Sequence, residues 1–429
     1  MGELKINYSD KKVTPFGGMK LLKDFIDKSH ILEDLRSVDL PYPNSNAGIN
    51  PLDIIQGFWL SIFTGASRYI HADWLRYDTV LQEIFQIKRL PSQATYSRFF
   101  HKFDWERNEK VFALLQQKFL SQIEVGALTI DLDSTVITRY GQQEGAKKGY
   151  NPSKKGRNSH HPLIAFIDQT KMVANAWMRP GNTSDFNNYS NFLNETFDVV
   201  LKDKKVGLVR ADSGFYSNDF LKWFEKRELN YMIAVKFYEN IKYQIGAVEQ
   251  WVRINSGIDV CNIYFKPDNG EMRRYVIVRK KIEKYPHSGG KLLFDEPAYR
   301  YSAYVTNLEL PVDQIYNIYN GRADCENRIK ELKYDFGADN FCLKEFYATE
   351  ASFRFIMMAY NIMALFKHQV LNSTMQLKTL RAYCFAIGSW ITNHAHEEVL
   401  NLTLPAKRRA WMNGLFENVK QSQVPFKYT

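Results

Sequence analysis

The sequence predicts an α/β protein. A mixed sheet flanked by helices is preceded by a helical region and interrupted by a β-rich insertion. Three observations carry this. Leu128 to Ile137 alternates, with Ile130, Leu132 and Ser134 to one face and Asp131, Asp133 and Thr135 to the other. Residues 162–235 read as strand, strand, helix, strand, helix, strand. Tyr319 to Lys333 is free of proline and, with Ile315, Ile329 and Leu332 at helical spacing, reads as the interior of a helix.

Residues 1–125 read as mostly helical. Ile49 to Ala66 and Leu81 to Ile87 carry long apolar patterns, and Pro91 to Phe100 reads as a turn leading into a capped helix. Arg68, Arg76, Lys88, Arg89, Arg98 and Lys102 accompany these helices. The region is either a helix-turn-helix-like reader of duplex ends or a helical cap on the core.

Two aspartates on one face of an apolar strand are costly to bury without a counter-charge. Asp131 and Asp133 therefore point to a metal site, with a salt-bridged pair on an exposed face as the alternative. Gly141 to His161 follows as a turn-rich basic loop. Its Lys154, Lys155 and Arg157 can track phosphates while Tyr150 stacks on a base. His160 and His161 have no Cys or further His nearby, so no zinc site is expected.

Pro162 to Ile167 and Met172 to Met178 read as a hairpin. A helix is predicted from Asp185 to about Val199 with Ser184 as its cap. Val206 to Ala211 reads as a buried strand that yields at Asp212 to a turn, the usual station for functional groups in such sheets. A turn-capping role is the alternative for Asp212. Asn218 to Leu229 is the next helix and Tyr231 to Val235 the next strand. Val260 to Phe265, Arg274 to Val278 and Lys291 to Phe294 make the β-rich stretch, with Asn269-Gly270 as a hairpin turn. Tyr301 to Val305 returns as a strand, Pro311 opens the helix that carries Glu326, and the remainder is expected to be mostly helical.

The bounds agree. The length of 429 residues suits two or three domains, 45% hydrophobic residues supply substantial cores, and a net charge of +10 favours an anionic partner, nucleic acid first. Cys261, Cys325, Cys342 and Cys384 are scattered with no CxxC pair, which argues against a disulfide framework or zinc knuckle. Phe346 to Leu371 is interrupted by Glu350, Arg354, Lys367 and His368, so it reads as a buried or amphipathic helix and not a membrane span. No signal peptide pattern opens the chain, and a soluble cytoplasmic protein is expected.

Tyr319, Arg322, Glu326 and Lys333 are spaced as around the last acid of many bacterial insertion-sequence transposases of the DDE type, the branch with a Tyr-Arg-Glu-Lys signature. Asp133-Ser134-Thr135 resembles the setting of that family's first acid, and Ala211-Asp212-Ser213-Gly214-Phe215-Tyr216 that of its second. Asp131 shares the face of Asp133 and stays open as the first acid. The resemblance implies a ribonuclease-H-like core divided as 1–125 helical DNA-binding region, 126–236 first part of the core, 237–300 β-rich insertion, 301–400 second part with the Glu-bearing helix, and 401–429 tail. It implies Asp133, Asp212 and Glu326 as catalytic metal ligands. Carboxylate oxygens alone suit Mg²⁺, with Mn²⁺ able to substitute, and two ions about 3.5–4 Å apart serve in-line phosphoryl displacement. Tyr319, Arg322 and Lys333 then contact DNA, Lys333 lying about 10 Å along the helix from Glu326. Water opens the phosphodiester at the element's end and the freed 3′-hydroxyl attacks target DNA. The implied partners are double-stranded terminal repeats and target DNA, with a homodimer in the synaptic complex. Nucleoid association follows in a bacterial cytoplasm. A catalytically inactive DNA-binding relative and a structure-specific nuclease on the same core are the alternative functions.

Overall fold

The computed structural model describes residues 4–45, 47–183, 189–267, 270–282, 299–394 and 397–428. Nine strands form one sheet: β1 (Leu128–Ser134), β2 (Leu163–Ile167), β3 (Val173–Trp177), β4 (Val206–Ala211), β5 (Tyr231–Ala234), β6 (Val252–Asn255), β7 (Ile258–Phe265), β8 (Arg273–Lys281) and β9 (Tyr299–Thr306). Their spatial order is β6-β7-β8-β9-β5-β4-β1-β2-β3. β1, β2 and β3 pair antiparallel, while β4 and β5 add parallel on the other side of β1. This is the strand order expected of a ribonuclease-H-like core. The β-rich stretch does not stand off as a separate sheet, because β9 pairs antiparallel with β5 and continues the same ladder.

The helices used below are α1 (Pro51–Thr64), α2 (Gln93–Phe100), α3 (Trp105–Ser121), α4 (Tyr189–Asn194), α5 (Asn218–Glu225), α6 (Val312–Asn320), α7 (Ala323–Tyr334) and α8 (Phe346–Phe366). Their starts follow local chemistry. The side chains of Asn50, Ser92, Asp104 and Ser217 each accept a hydrogen bond from a first-turn N–H of α1, α2, α3 and α5.

α8 is buried on nearly every face, which explains its near-continuous apolar run. β3 and α3 lie against it on one side and α1 on another. Trp59 Nε1 of α1 donates to Phe355 O of α8 at 2.9 Å. Asn361 of α8 accepts from Val173 N at 2.7 Å and donates to Val173 O at 2.8 Å, occupying the open edge of β3. The charges that interrupt the run are paired. Glu350 accepts from Asn108 Nδ2 and Met178 N, each at 3.1 Å, and Arg354 contacts Glu195 and Ala176 O. Among the described residues no helix is long and apolar enough to cross a membrane. All four cysteines are free thiols.

The N-terminal helices are seated on this core through aromatic rings: Phe58 packs on Tyr69, Tyr96, Phe100 and Phe341. Arg68, Lys88, Arg89, Arg98 and Lys102 remain exposed. A second apolar cluster joins Ile315 of α6 to Val260, Val276, Val278 and Tyr304, so α6 lies on the sheet extension.

Two expectations need correction. The Tyr319–Lys333 helix is broken: α6 ends at Asn320 and α7 begins at Ala323. The late chain is not only helical. Ser389–His394 and Glu397–Leu402 form a hairpin that pairs with Val13–Thr14. Phe426–Lys427 also runs parallel to Ile123–Glu124. The predicted strand Lys291–Phe294, the cap Ser184 with Asp185, and Asn269 lie outside the described residues.

Phe58→Ala should destabilise the chain by about 3–5 kcal/mol, since a large buried ring would leave a cavity. A urea-unfolding midpoint unchanged from wild type would show that the N-terminal helices are not integral to this core.

Candidate active site

Asp131 and Asp133 alternate along β1 with apolar neighbours, yet both are buried, because α6 and α7 cover the face they share. Their partners differ. Asp131 lies directly across the parallel β1–β4 pair from Arg210. Its two oxygens accept from Arg210 Nε at 2.6 Å and Nη2 at 2.9 Å. Both oxygens of Asp131 are thus engaged by one guanidinium. A lone Arg in the apolar strand Val206–Ala211 was the sequence signal for this pairing.

Arg210 also sets the helix break. Its Nη1 donates to Ile318 O at 2.7 Å, taking the carbonyl that Arg322 N would use in an unbroken helix. Arg322 N turns to Tyr319 O at 2.9 Å instead. The guanidinium fits only because residue 321 is glycine: a Cβ there would sit 2.7 Å from Arg210 Nη1. Arg210 Nη2 reaches Asp168 at 3.0 Å, and Arg328 ties Asp168 to Asp324 with two contacts of 2.9 Å. This network pins the start of α7 to the sheet.

The break turns Arg322 inward. Its Nη2 meets Asp133 Oδ2 at 3.0 Å and Leu132 O at 3.4 Å, while Asp133 Oδ1 accepts from Ser134 N at 2.8 Å. Arg322 is therefore found on the first acid and not on an open surface. Burial pushes the Asp133 carboxyl up to about 6; Arg322 opposes that shift and the charge of Asp212 adds to it. Asp212 ends β4, and its Oδ1 accepts from Gly214 N at 2.9 Å, capping the turn Ser213–Phe215. Tyr319 OH donates to Ala211 O at 3.2 Å, and its ring lies 4.0 Å from that of Tyr304 on β9, so the sheet extension holds this residue.

Asp212 opens into a cleft of about 870 Å³ whose other walls include Ser134, Thr135, Tyr150, His161, Lys236 and Lys333. Lys333 Nζ donates to Val136 O at 3.0 Å, and burial lowers its pKa against the pull of Asp339 and Asp133. The basic loop forms a rim of the cleft. Asn151 holds it in place, donating to Thr138 Oγ1 at 3.0 Å and accepting from Lys154 N at 2.9 Å. Gly149 and Gly181 are in backbone contact there, with no room for a Cβ on either. Tyr150, Lys154, Lys155 and Arg157 remain exposed. Lys236 was not singled out from sequence; as the first charge after β5 it carries no motif.

Glu326 is exposed on α7. At about 100° per residue it shares the helix face of Arg322 and Lys333, both of which contact the site. Among the described residues no group of three His, Cys, Asp or Glu side chains is close enough together to hold a metal ion. Asp133 and Asp212 are brought together, and Glu326 is not gathered with them. The pair itself fits a hard divalent cation: its donors are carboxylate oxygens, and one of them is buried, raised in pKa and repelled by the other.

His160 is a structural residue. Its Nδ1 accepts from Arg139 Nε at 3.1 Å and its Nε2 donates to Glu144 O at 2.9 Å. This is the neutral tautomer, and burial with the Arg139 charge holds its pKa down to about 4.

The sequence profile of the family described as Transposase DDE domain group 1 matches residues 2–424. No curated protein matches the chain. Among solved structures, that of a piggyBac transposase synaptic complex with hairpin DNA is similar at 13% identity, covering 88% of this chain and 82% of that chain with a TM-score of 0.47.

A folded-state pKa below the ordinary 6.5 means that His160 resists protonation only while the chain is folded. Stability is therefore full above pH 6.5 and is lost as pH falls toward about 4, by up to about 3 kcal/mol. His160→Gln should flatten this limb of the stability curve; curves for wild type and variant that stay parallel from pH 7 to 4 would exclude the assignment.

Proposed function

Since the chain belongs to the Transposase DDE domain group 1 family, we propose that it is a DNA transposase that cuts the ends of an insertion sequence and joins the 3′-hydroxyl to target DNA. The observation that carries the reading is Asp212 in a cleft lined by Lys236 and Lys333, with the buried Asp133 near enough to feel its charge, in a chain matched by that family along nearly its whole length.

In this reading Asp133 and Asp212 hold divalent metal, Mg²⁺ or Mn²⁺, and Glu326 completes the set from α7. Two such ions when bound supply Lewis acidity to the scissile phosphate and activate the attacking oxygen. The remaining work falls to the chain's own side chains. Lys333 and Lys236 lie in the cleft beside Asp212 and place ammonium groups against phosphate oxygens. Tyr150, Lys154, Lys155 and Arg157 follow the strand as it leaves the cleft, Tyr150 stacking on a base. Tyr319 adds a hydroxyl near the second acid, and Arg322 a planar fork suited to two phosphate oxygens. The exposed basic residues of the N-terminal helices extend the duplex contact, and two protomers hold the two ends.

Incubation with the terminal DNA of its own element and Mg²⁺, followed by mapping of the cut ends, tests the reading. Cleavage at the element boundary with joining of 3′ ends is expected. Nicking without joining would make it a nuclease, and binding without cutting an inactive relative. Asp133→Asn, Asp212→Asn and Glu326→Gln should each abolish cutting and leave DNA binding measured without divalent metal intact, because that binding comes from cations on phosphates. Full cutting by Glu326→Gln would remove that residue from the set.

Lys333→Ala should weaken binding of the cleaved end and lower the salt dependence of affinity by about one phosphate contact. An unchanged salt slope would assign Lys333 to its carbonyl contact with Val136 alone.

A further inference from the structure

Arg322 and a divalent cation claim the same carboxylate. Oδ2 of Asp133 already holds Arg322 Nη2 at 3.0 Å, and Oδ1 is taken by Ser134 N at 2.8 Å. A metal ion drawing on Asp133 must share Oδ2 with a guanidinium of like sign or displace it. Displacement without replacement is costly. The guanidinium is buried, with side-chain exposure of 10%, and its other recorded acceptor is the distant Leu132 O at 3.4 Å. Its Nε is buried with no hydrogen-bond partner at all. Arg322 therefore has donor capacity unspent on this site and a place at a break between two helices, where one side chain can turn without moving either.

We propose that Arg322 is the resident counter-ion of Asp133 in the DNA-free protein, and that a backbone phosphate entering the cleft draws it off and so opens Asp133 to metal. The phosphate offers two oxygens to the fork and satisfies donors that Asp133 leaves idle. The exchange couples the two ligands: DNA raises metal affinity, and by linkage metal raises DNA affinity equally. A transposase so arranged does not assemble its metal centre until an end is in place. This inference rests on the metal reading of the Asp133–Asp212 pair.

Mn²⁺ binding, read as loss of the free-ion signal in electron paramagnetic resonance, tests it without any turnover. The full chain is titrated alone and with a duplex already cut at the element's end and closed with a 3′-dideoxynucleotide. Wild type should bind Mn²⁺ at least about tenfold more tightly with the duplex. Arg322→Gln should bind Mn²⁺ tightly without DNA and gain little from the duplex. Arg322→Lys, which keeps the charge on a single-point ammonium, should fall between. Asp133→Asn should remove the tight site in every background. If wild type binds Mn²⁺ equally with and without duplex, and Asp133→Asn abolishes that binding, the cleft is a metal site and the exchange is refuted. If no Mn²⁺ binding depends on Asp133 in any state, the metal reading fails and the exchange with it. The wild-type comparison stands alone should the Arg322 variants not fold.

Discussion

Burying Asp131 strips its carboxylate of water, and only the Arg210 guanidinium across the β1–β4 pair makes that tolerable. The same guanidinium takes Ile318 O and so ends α6. It shares Asp168 with Arg328, which fixes α7. One side chain thus locks two strands and two helices in register. Breaking such a buried pair by removing one partner typically costs about 3–5 kcal/mol. Here the loss would also release the helix junction from which Arg322 reaches Asp133 and Tyr319 reaches Ala211 O.

The cleft divides its charges by depth. Asp133 and Arg322 are buried behind its lining, where water is scarce and each needs the other. Lys333 and Lys236 line the walls, and Tyr150 with the Lys154–Arg157 segment stands at the rim. A polyanion entering from outside meets exposed, screened cations first and half-buried ones last. The sheet extension has a part in this although it contributes no acid. It backs α6 through Ile315 and holds Tyr319 through Tyr304.

Much of this was legible in the residues. Alternation along β1, the turn after β4 and the spacing from Tyr319 to Lys333 located the strands and helix that meet at the site. The break at Gly321 was not legible, because Gly-Arg within a charged helical pattern carries no stop signal. It is imposed by Arg210, more than a hundred positions away. Asp131 could not be told from Asp133 for the same reason: the two share a face, and their partners, Arg210 and Arg322, come from distant parts of the chain. The hairpin after Gly388 was missed because its partner strand is only two residues long and lies at the other end of the chain.

That pairing has a consequence for how the molecule is made. Val13–Thr14 waits for the hairpin 389–402, and Ile123–Glu124 waits for Phe426–Lys427. α1, α2 and α3 likewise lack their seat until α8 has been synthesised. A ribosome adding residues one at a time releases the amino-terminal part with its hydrophobic faces open. The early helices and strands therefore close their apolar faces only against segments that lie hundreds of positions later in the chain.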